Sequence, residues 1–201
     1  AKLITGDWFH MGPYSLIDIA QGVEIGHEVG FGIESKIVTH GVYLDVYNLG
    51  SPMQWKGVKI GDNVWLPNAW VNPGVEIGNQ VVASAKSFIT KNIPSNSLVA
   101  GSPAKVIKKN YLPKVLSKEQ KKVRINIIIS QFFYRNEIKN SNEYKISFIE
   151  DDEIILFKNK KQTTSFDLKK KEILGSCQNN SHILKDQLRR NGIRFRFLKS
   201  K

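Results

Sequence analysis

Between Val58 and Lys108 the aliphatic residues return every six positions, which fits neither the two-residue period of a strand nor the 3.6 of an α-helix. Ile60, Leu66, Ile77, Ala83 and Ile89 are 6, 11, 6 and 6 residues apart. A coil of three short flat faces produces this period: each hexad supplies one face, and its first residue points into a narrow shaft. Gly61, Asp62, Asn63, Gly74, Gly78 and Asn79 stand between the apolar positions, where corners need small or αL-tolerant residues. The step of 11 in place of 12 implies one coil short by a residue, around Asn72-Pro73-Gly74. The expected fold is mainly β, a parallel β-helix of hexapeptide coils.

An earlier series begins at Ile19 and continues through Ile25, Phe31 and Ile37. It stops at Thr39, and residues 39–57 carry Gly, Pro, Asn and Asp among aromatics with no six-period. This stretch reads as a loop excursion between two coils, a common place for function on a rigid scaffold, and His40 opens it. The solenoid domain is assigned to residues 1–110. Residues 111–201 read as a small α+β appendage. A helix starts at Ser117, with Gln120 completing a capping box, and runs towards Lys139, although Ile125–Ile129 and Phe132-Phe133 also allow a strand. Tyr144–Phe148 and Ile154–Phe157 flank a turn at Glu150–Asp152 and read as a hairpin. Thr163–Leu168 suggests a strand, Ser181–Arg190 a helix closed by Asn191-Gly192, and Arg194–Phe197 a last strand.

Charge sharpens the boundary. Residues 1–110 hold 9 Lys/Arg against 8 Asp/Glu, whereas residues 111–201 hold 21 against 10. Nearly all of the net charge of +12 therefore lies in the appendage. One cysteine, Cys177, excludes an internal disulfide framework and suits a reducing compartment. No apolar run approaches the ~20 residues of a membrane span, and no signal-peptide pattern opens the chain, so a cytoplasmic protein is expected. The chain starts on Ala with a hexad running by Ile19, which leaves open that earlier coils are missing.

The segments IGDNVW (Ile60–Trp65), NPGVEIG (Asn72–Gly78), TKNIP (Thr90–Pro94) and AGSPAKVIK (Ala100–Lys108) resemble, in order and spacing, the hexapeptide-repeat acyltransferases. The resemblance is to their galactoside, maltose and glycan O-acetyltransferase branch and covers about residues 10 to 110. It implies a left-handed coil, a homotrimer, acetyl-CoA as acyl donor in the groove between neighbouring coils, and a histidine general base on the excursion. His40 matches that base: it follows a coil, precedes the long loop and stands 25 residues ahead of Trp65. A sugar hydroxyl is a poor nucleophile, and a neutral imidazole takes its proton as it attacks a thioester. Leu66-Pro67 and Ala83-Ser84 depart from the family's usual Ile-Gly, which bears on the shape of the donor groove.

By the same resemblance Trp65 lines the donor tunnel, Asn68, Ala85, Thr90 and Lys91 contact the pantetheine arm, and Lys105 and Lys108 meet the nucleotide phosphates as point charges. Subunit packing for Trp65, ordinary coil positions for Ala85 and Thr90, and a solvated basic tail for Lys108 are the competing accounts. His10 is a weak acceptor-binding candidate, His27 a corner residue of structural use, and His182 incidental. For the basic appendage a solvated face is the default. An anionic glycan or an anionic membrane surface are its functional alternatives, and no nucleic-acid recognition motif is present. The expected activity is O-acetylation of a sugar or surface polysaccharide without a metal. The alternative is N-acetylation of a nucleotide-linked amino sugar. A zinc hydratase on a similar solenoid needs more histidines than His27 and His40, and a non-catalytic assembly module would need neither His40 nor AGSPAKVIK.

Overall fold

The structure is a computed structural model that describes residues 1–42, 44–112, 115–136, 144–149, 152–158, 161–175 and 180–195. The chain divides into two units, Ala1–Pro113 and Lys114–Lys201.

The first unit is a stack of coils whose strands form three sheets, parallel from coil to coil, as in a β-helix. The first sheet contains Leu3–Thr5, Val23–Ile25, Val58–Ile60 and Glu76–Ile77, in that order. The second contains His10–Met11, Gly30–Phe31, Trp65–Leu66, Val82–Ala83 and Ser97–Gly101, and ends in an antiparallel return strand, Ala104–Lys109. The third contains Leu16–Ile17, Lys36–Ile37, Ala69–Val71 and Ser87–Ile89. Ile60, Leu66, Ile77, Ala83 and Ile89 all point inward, as the six-period requires. Each face in fact buries two residues, i and i+2, because side chains alternate along a strand. Val23, Val58 and Val75 therefore join Ile25, Ile60 and Ile77, while Val29, Val64 and Val81 join Phe31, Leu66 and Ala83. Burying each such side chain contributes about 1.5–3 kcal/mol.

Three expectations are corrected. Ile19 is 42% exposed and opens no hexad: a full coil precedes it, with Leu3 opposite Val23, His10 opposite Gly30 and Leu16 opposite Lys36. That coil spans 20 residues, so its apolar positions fall out of step with the sixes. The shortened corner is Pro67-Asn68, not Asn72-Pro73-Gly74. Phe31 and Ile37 pair with Leu66 and Val71, which lie one residue closer together. Corners turn mostly on non-glycine residues at positive φ, among them Glu28, Glu34, Asn63, Gln80, Lys86 and Asn96. Gly61 and Gly78 serve a different end. With Gly6 and Gly26 they form a column in which a Cβ on Gly26 would stand 2.7 Å from the Gly61 carbonyl carbon.

Beside that column a ladder of side chains accepts backbone hydrogen bonds. Asp62 Oδ1 accepts from the His27 N–H (2.7 Å), Asn79 Oδ1 from Asp62 (2.8 Å) and Ser95 Oγ from Asn79 (3.0 Å). His27 belongs to it, its Nδ1 accepting from the Asp7 N–H at 3.0 Å.

In the second unit α1 spans Lys118–Arg135, with the Ser117–Gln120 capping box formed, and the strand alternative for Ile125–Ile129 and Phe132-Phe133 is overturned. The i, i+3 and i+7 spacing of Ile125, Ile128 and Phe132 puts all three on one buried helical face, which wins over local β propensity. Four antiparallel strands follow: Tyr144–Ile149, Glu153–Lys158, Lys161–Asp167 and the unanticipated Glu172–Gly175. The second helix, α2 (Asn180–Arg190), stops at Gly192, whose φ of 82° lets its N–H and that of Ile193 reach carbonyls of the last turn. Phe195 is buried but lies in no strand, and Arg196 and Phe197 fall outside the described residues, as do Glu150, Asp151 and Lys139. The core joins Ile125, Ile128 and Phe132 to Ile154, Phe166, Leu184, Leu188 and Phe195.

Candidate active site

His40 does not stand alone. Its Nδ1 lies 2.7 Å from Asp18 Oδ2, one coil away. The same Oδ2 accepts from the Thr39 N–H and hydroxyl, both at 3.0 Å, and Oδ1 accepts from the Ala20 N–H at 2.9 Å. Thr39 is fully buried, and its Oγ1 in turn accepts from the Gln21 N–H at 3.0 Å. Desolvation opposes ionisation of Asp18, but the hydrogen bonds from Thr39, Ala20 and His40 outweigh it. They hold the carboxyl well below the usual carboxylate range. A carboxylate facing Nδ1 makes that nitrogen the donor and leaves Nε2 as the free base.

The excursion closes on the same point. His40–Gly41 pairs antiparallel with Gln54–Trp55, His40 opposite Trp55, and the imidazole stacks on the indole with centroids 5.1 Å apart and planes 21° from parallel. The Lys56 N–H bonds the Thr39 carbonyl at 3.0 Å. The imidazole is thus held on one edge by Asp18 and on one face by Trp55, and its side chain stays 43% exposed. This arrangement suits a general base, whose ring must be fixed and whose free nitrogen must meet an incoming hydroxyl.

The other predicted residues are distributed over the coil. Thr90 and Lys91 follow the third-sheet strand Ser87–Ile89, on the same coil edge as Val38 and Asn72 and two rungs from the coil that leads into His40. Asn68 and Ala85 occupy the opposite edge of the third sheet, where the Asn68 carbonyl accepts from the Lys86 N–H at 2.6 Å. Between those edges the outer face carries Leu16, Lys36, Trp70 and Phe88. Lys36 Nζ sits 4.3 Å from the Trp70 ring, and Phe88 packs edge-on 6.5 Å from it. Trp65 lies on the second sheet, away from His40 within one chain. Its indole crosses Gly30, where a Cβ would stand 2.6 Å from Cε3. His10 occupies the same cross-strand row, exposed, opposite Gly30. Lys105 and Lys108 project from the return strand opposite Ala100 and Leu98, with Lys108 Nζ 5.9 Å from the Tyr111 ring.

Sequence reasoning missed Asp18 and Trp55. Asp18 stands 22 residues before His40 and Trp55 15 after it, so only the register of the coils and the excursion ladder reveals them.

No family model matches the chain. Among curated proteins it is 40% identical over 88 residues to a galactoside O-acetyltransferase of Lactococcus lactis, 42% of each chain. It is 39% identical over 59 residues to a chloramphenicol acetyltransferase of Klebsiella aerogenes, 29% of this chain and 28% of that one. Among solved structures, a maltose O-acetyltransferase of Clostridium difficile aligns over 53% of this chain and 58% of its own, with 34% identity and a TM-score of 0.49. The chain thus spans under two thirds of the length of each. Both curated matches are to acetyltransferases, and they bear out the resemblance to that group of enzymes.

Proposed function

We propose that this protein is an acetyl-CoA-dependent O-acetyltransferase acting on a sugar or surface polysaccharide, built on a left-handed coil, working as a homotrimer in the cytoplasm. The Asp18–His40 pair carries the reading. His40 Nε2 removes the acceptor hydroxyl proton as its oxygen attacks the thioester carbonyl. The tetrahedral intermediate then collapses, the C–S bond breaks, and the imidazolium returns the proton to the departing coenzyme A sulfur. Asp18 keeps the ring in the required tautomer throughout.

The separation of the parts supports a trimer. His40, Thr90 and Lys91 share one coil edge, whereas Trp65 lies on another sheet, so a groove between two copies brings the base of one to the indole of its neighbour. Trp65 and Trp70, 43% and 47% exposed, leave large aromatic surface on two of the three outer faces, while the first sheet presents Ile4, Glu24, Lys59 and Glu76. Lys105 and Lys108 then meet the donor phosphates. The galactoside acetyltransferase match supports a sugar hydroxyl as acceptor.

Thiol release from acetyl-CoA across a glycan panel tests this directly. The wild type is expected to turn over, and His40→Ala to lose about 10²–10⁴-fold in kcat/KM while still binding coenzyme A. Failure of the wild type to bind coenzyme A refutes the reading.

A further inference from the structure

The second unit holds a groove of about 520 Å³ that the acetyl-transfer chemistry does not use. This lies within the usual range for small-molecule sites. Its floor is apolar, built from Ile125 and Ile128 of α1, Phe148 of the first strand of the meander, and Leu168 after its third. Cations from two elements converge on the rim: Lys121 and Arg124 from α1, and Lys169 and Lys171 from the turn after Lys161–Asp167. Among the described residues Asp152 is the one carboxylate in the lining, and Lys121 Nζ engages it at 2.8 Å. Asp167 Oδ1 accepts from the Lys169 and Lys170 N–H groups at 2.9 and 2.7 Å, which fixes the turn carrying the remaining lysines.

We propose that this groove binds a phosphate-bearing amphiphile, with an aliphatic chain on the isoleucine floor and the head group among Arg124, Lys169 and Lys171. A single carboxylate offers two oxygens. A terminal phosphate carries up to two charges and three acceptor oxygens, which suits three cations left over after the Lys121–Asp152 pair. A free glycan fits less well, since sugars have no use for an aliphatic floor. Ile127, 52% exposed, extends that apolar wall towards solvent and gives a chain its way in. The inference stands apart from the acetyl-transfer reading and uses none of its residues.

Calorimetric titration of the intact chain with decyl phosphate, inorganic phosphate, decyl maltoside and a sialic acid oligomer tests it. Decyl phosphate is expected to bind at least tenfold more tightly than the other three. The double variant Arg124→Glu/Lys169→Glu and, separately, Ile127→Asp should each lose that margin, with circular dichroism and thermal unfolding unchanged. Because all three positions are exposed, these variants leave the core intact. Sedimentation with phosphatidic acid vesicles, reversed by decyl phosphate, assigns the head group to a bilayer. Decyl phosphate binding without sedimentation assigns it to a free amphiphile. Equal binding of decyl phosphate and inorganic phosphate, tighter binding of the sialic acid oligomer, or indifference to the charge reversal overturns the proposal.

Discussion

Asp18 shows how much of a site can hang on one carboxylate. With its pKa depressed in the folded state, Asp18 favours folding above the unfolded-state value of about 4, and that contribution fades as pH falls below it. Asp18→Asn should therefore lower the melting temperature at pH 7, and the gap from wild type should narrow steadily below about pH 4 in pH-resolved thermal scans. On the proposed mechanism the same variant also lowers kcat more than the KM for acetyl-CoA, because the tautomer is lost and no donor contact is touched. The candidate His40 was legible in the sequence because it opens a break in a strict period. Asp18 was not, because its coil of 20 residues has no period to break, and pairing across coils leaves no local trace.

At the scale of elements, the six-period revealed the coil because a strand that must return to one shaft repeats its inward residues. It hid the reason for the glycines. Gly6, Gly26, Gly61 and Gly78 are required by the backbone lying above or below them, a contact between residues 17 to 35 apart. Gly26→Ala is expected to destabilise the first unit by about 1–3 kcal/mol, at the upper end because part of the obstacle is backbone and cannot swing away. Chemical denaturation compared with Gly22→Ala, whose Cβ meets nothing nearer than 3.9 Å, isolates the effect. The second unit was harder to read. Its amphipathic helices and first hairpin follow from spacing, but Glu172–Gly175 is short, half polar and paired only on one side, so its pattern is too weak to mark it.

For the molecule as a whole, two units with separate cores should respond separately to core damage. Phe132 is 1% exposed in the second core, and Phe132→Ala is expected to cost about 3–5 kcal/mol there. Hydrogen exchange should show the loss of protection in residues 115–195, with the protected amides of Val23, Leu66 and Val99 unchanged. A uniform loss across both units would show that they fold as one. The net charge follows the same division: a nearly neutral coil stack and a strongly basic second unit make salt a selective lever. Raising ionic strength should weaken anion binding to the second unit while leaving the neutral first unit's stability nearly unchanged.

The hairpin that carries His40 has a consequence for how such a protein can change. Its two ends are clamped on adjacent rungs by the His40–Trp55 pair and the Lys56–Thr39 hydrogen bond, so what lies between them is invisible to the shaft. The coil simply resumes, with Val58 opposite Val23. Closing a flexible loop of twice the length costs only about 0.6 kcal/mol more. Insertion or deletion between Gly41 and Gln54 can therefore leave the coil stack unchanged, and on the proposed mechanism it would vary the acceptor side beside His40 without renegotiating the fold.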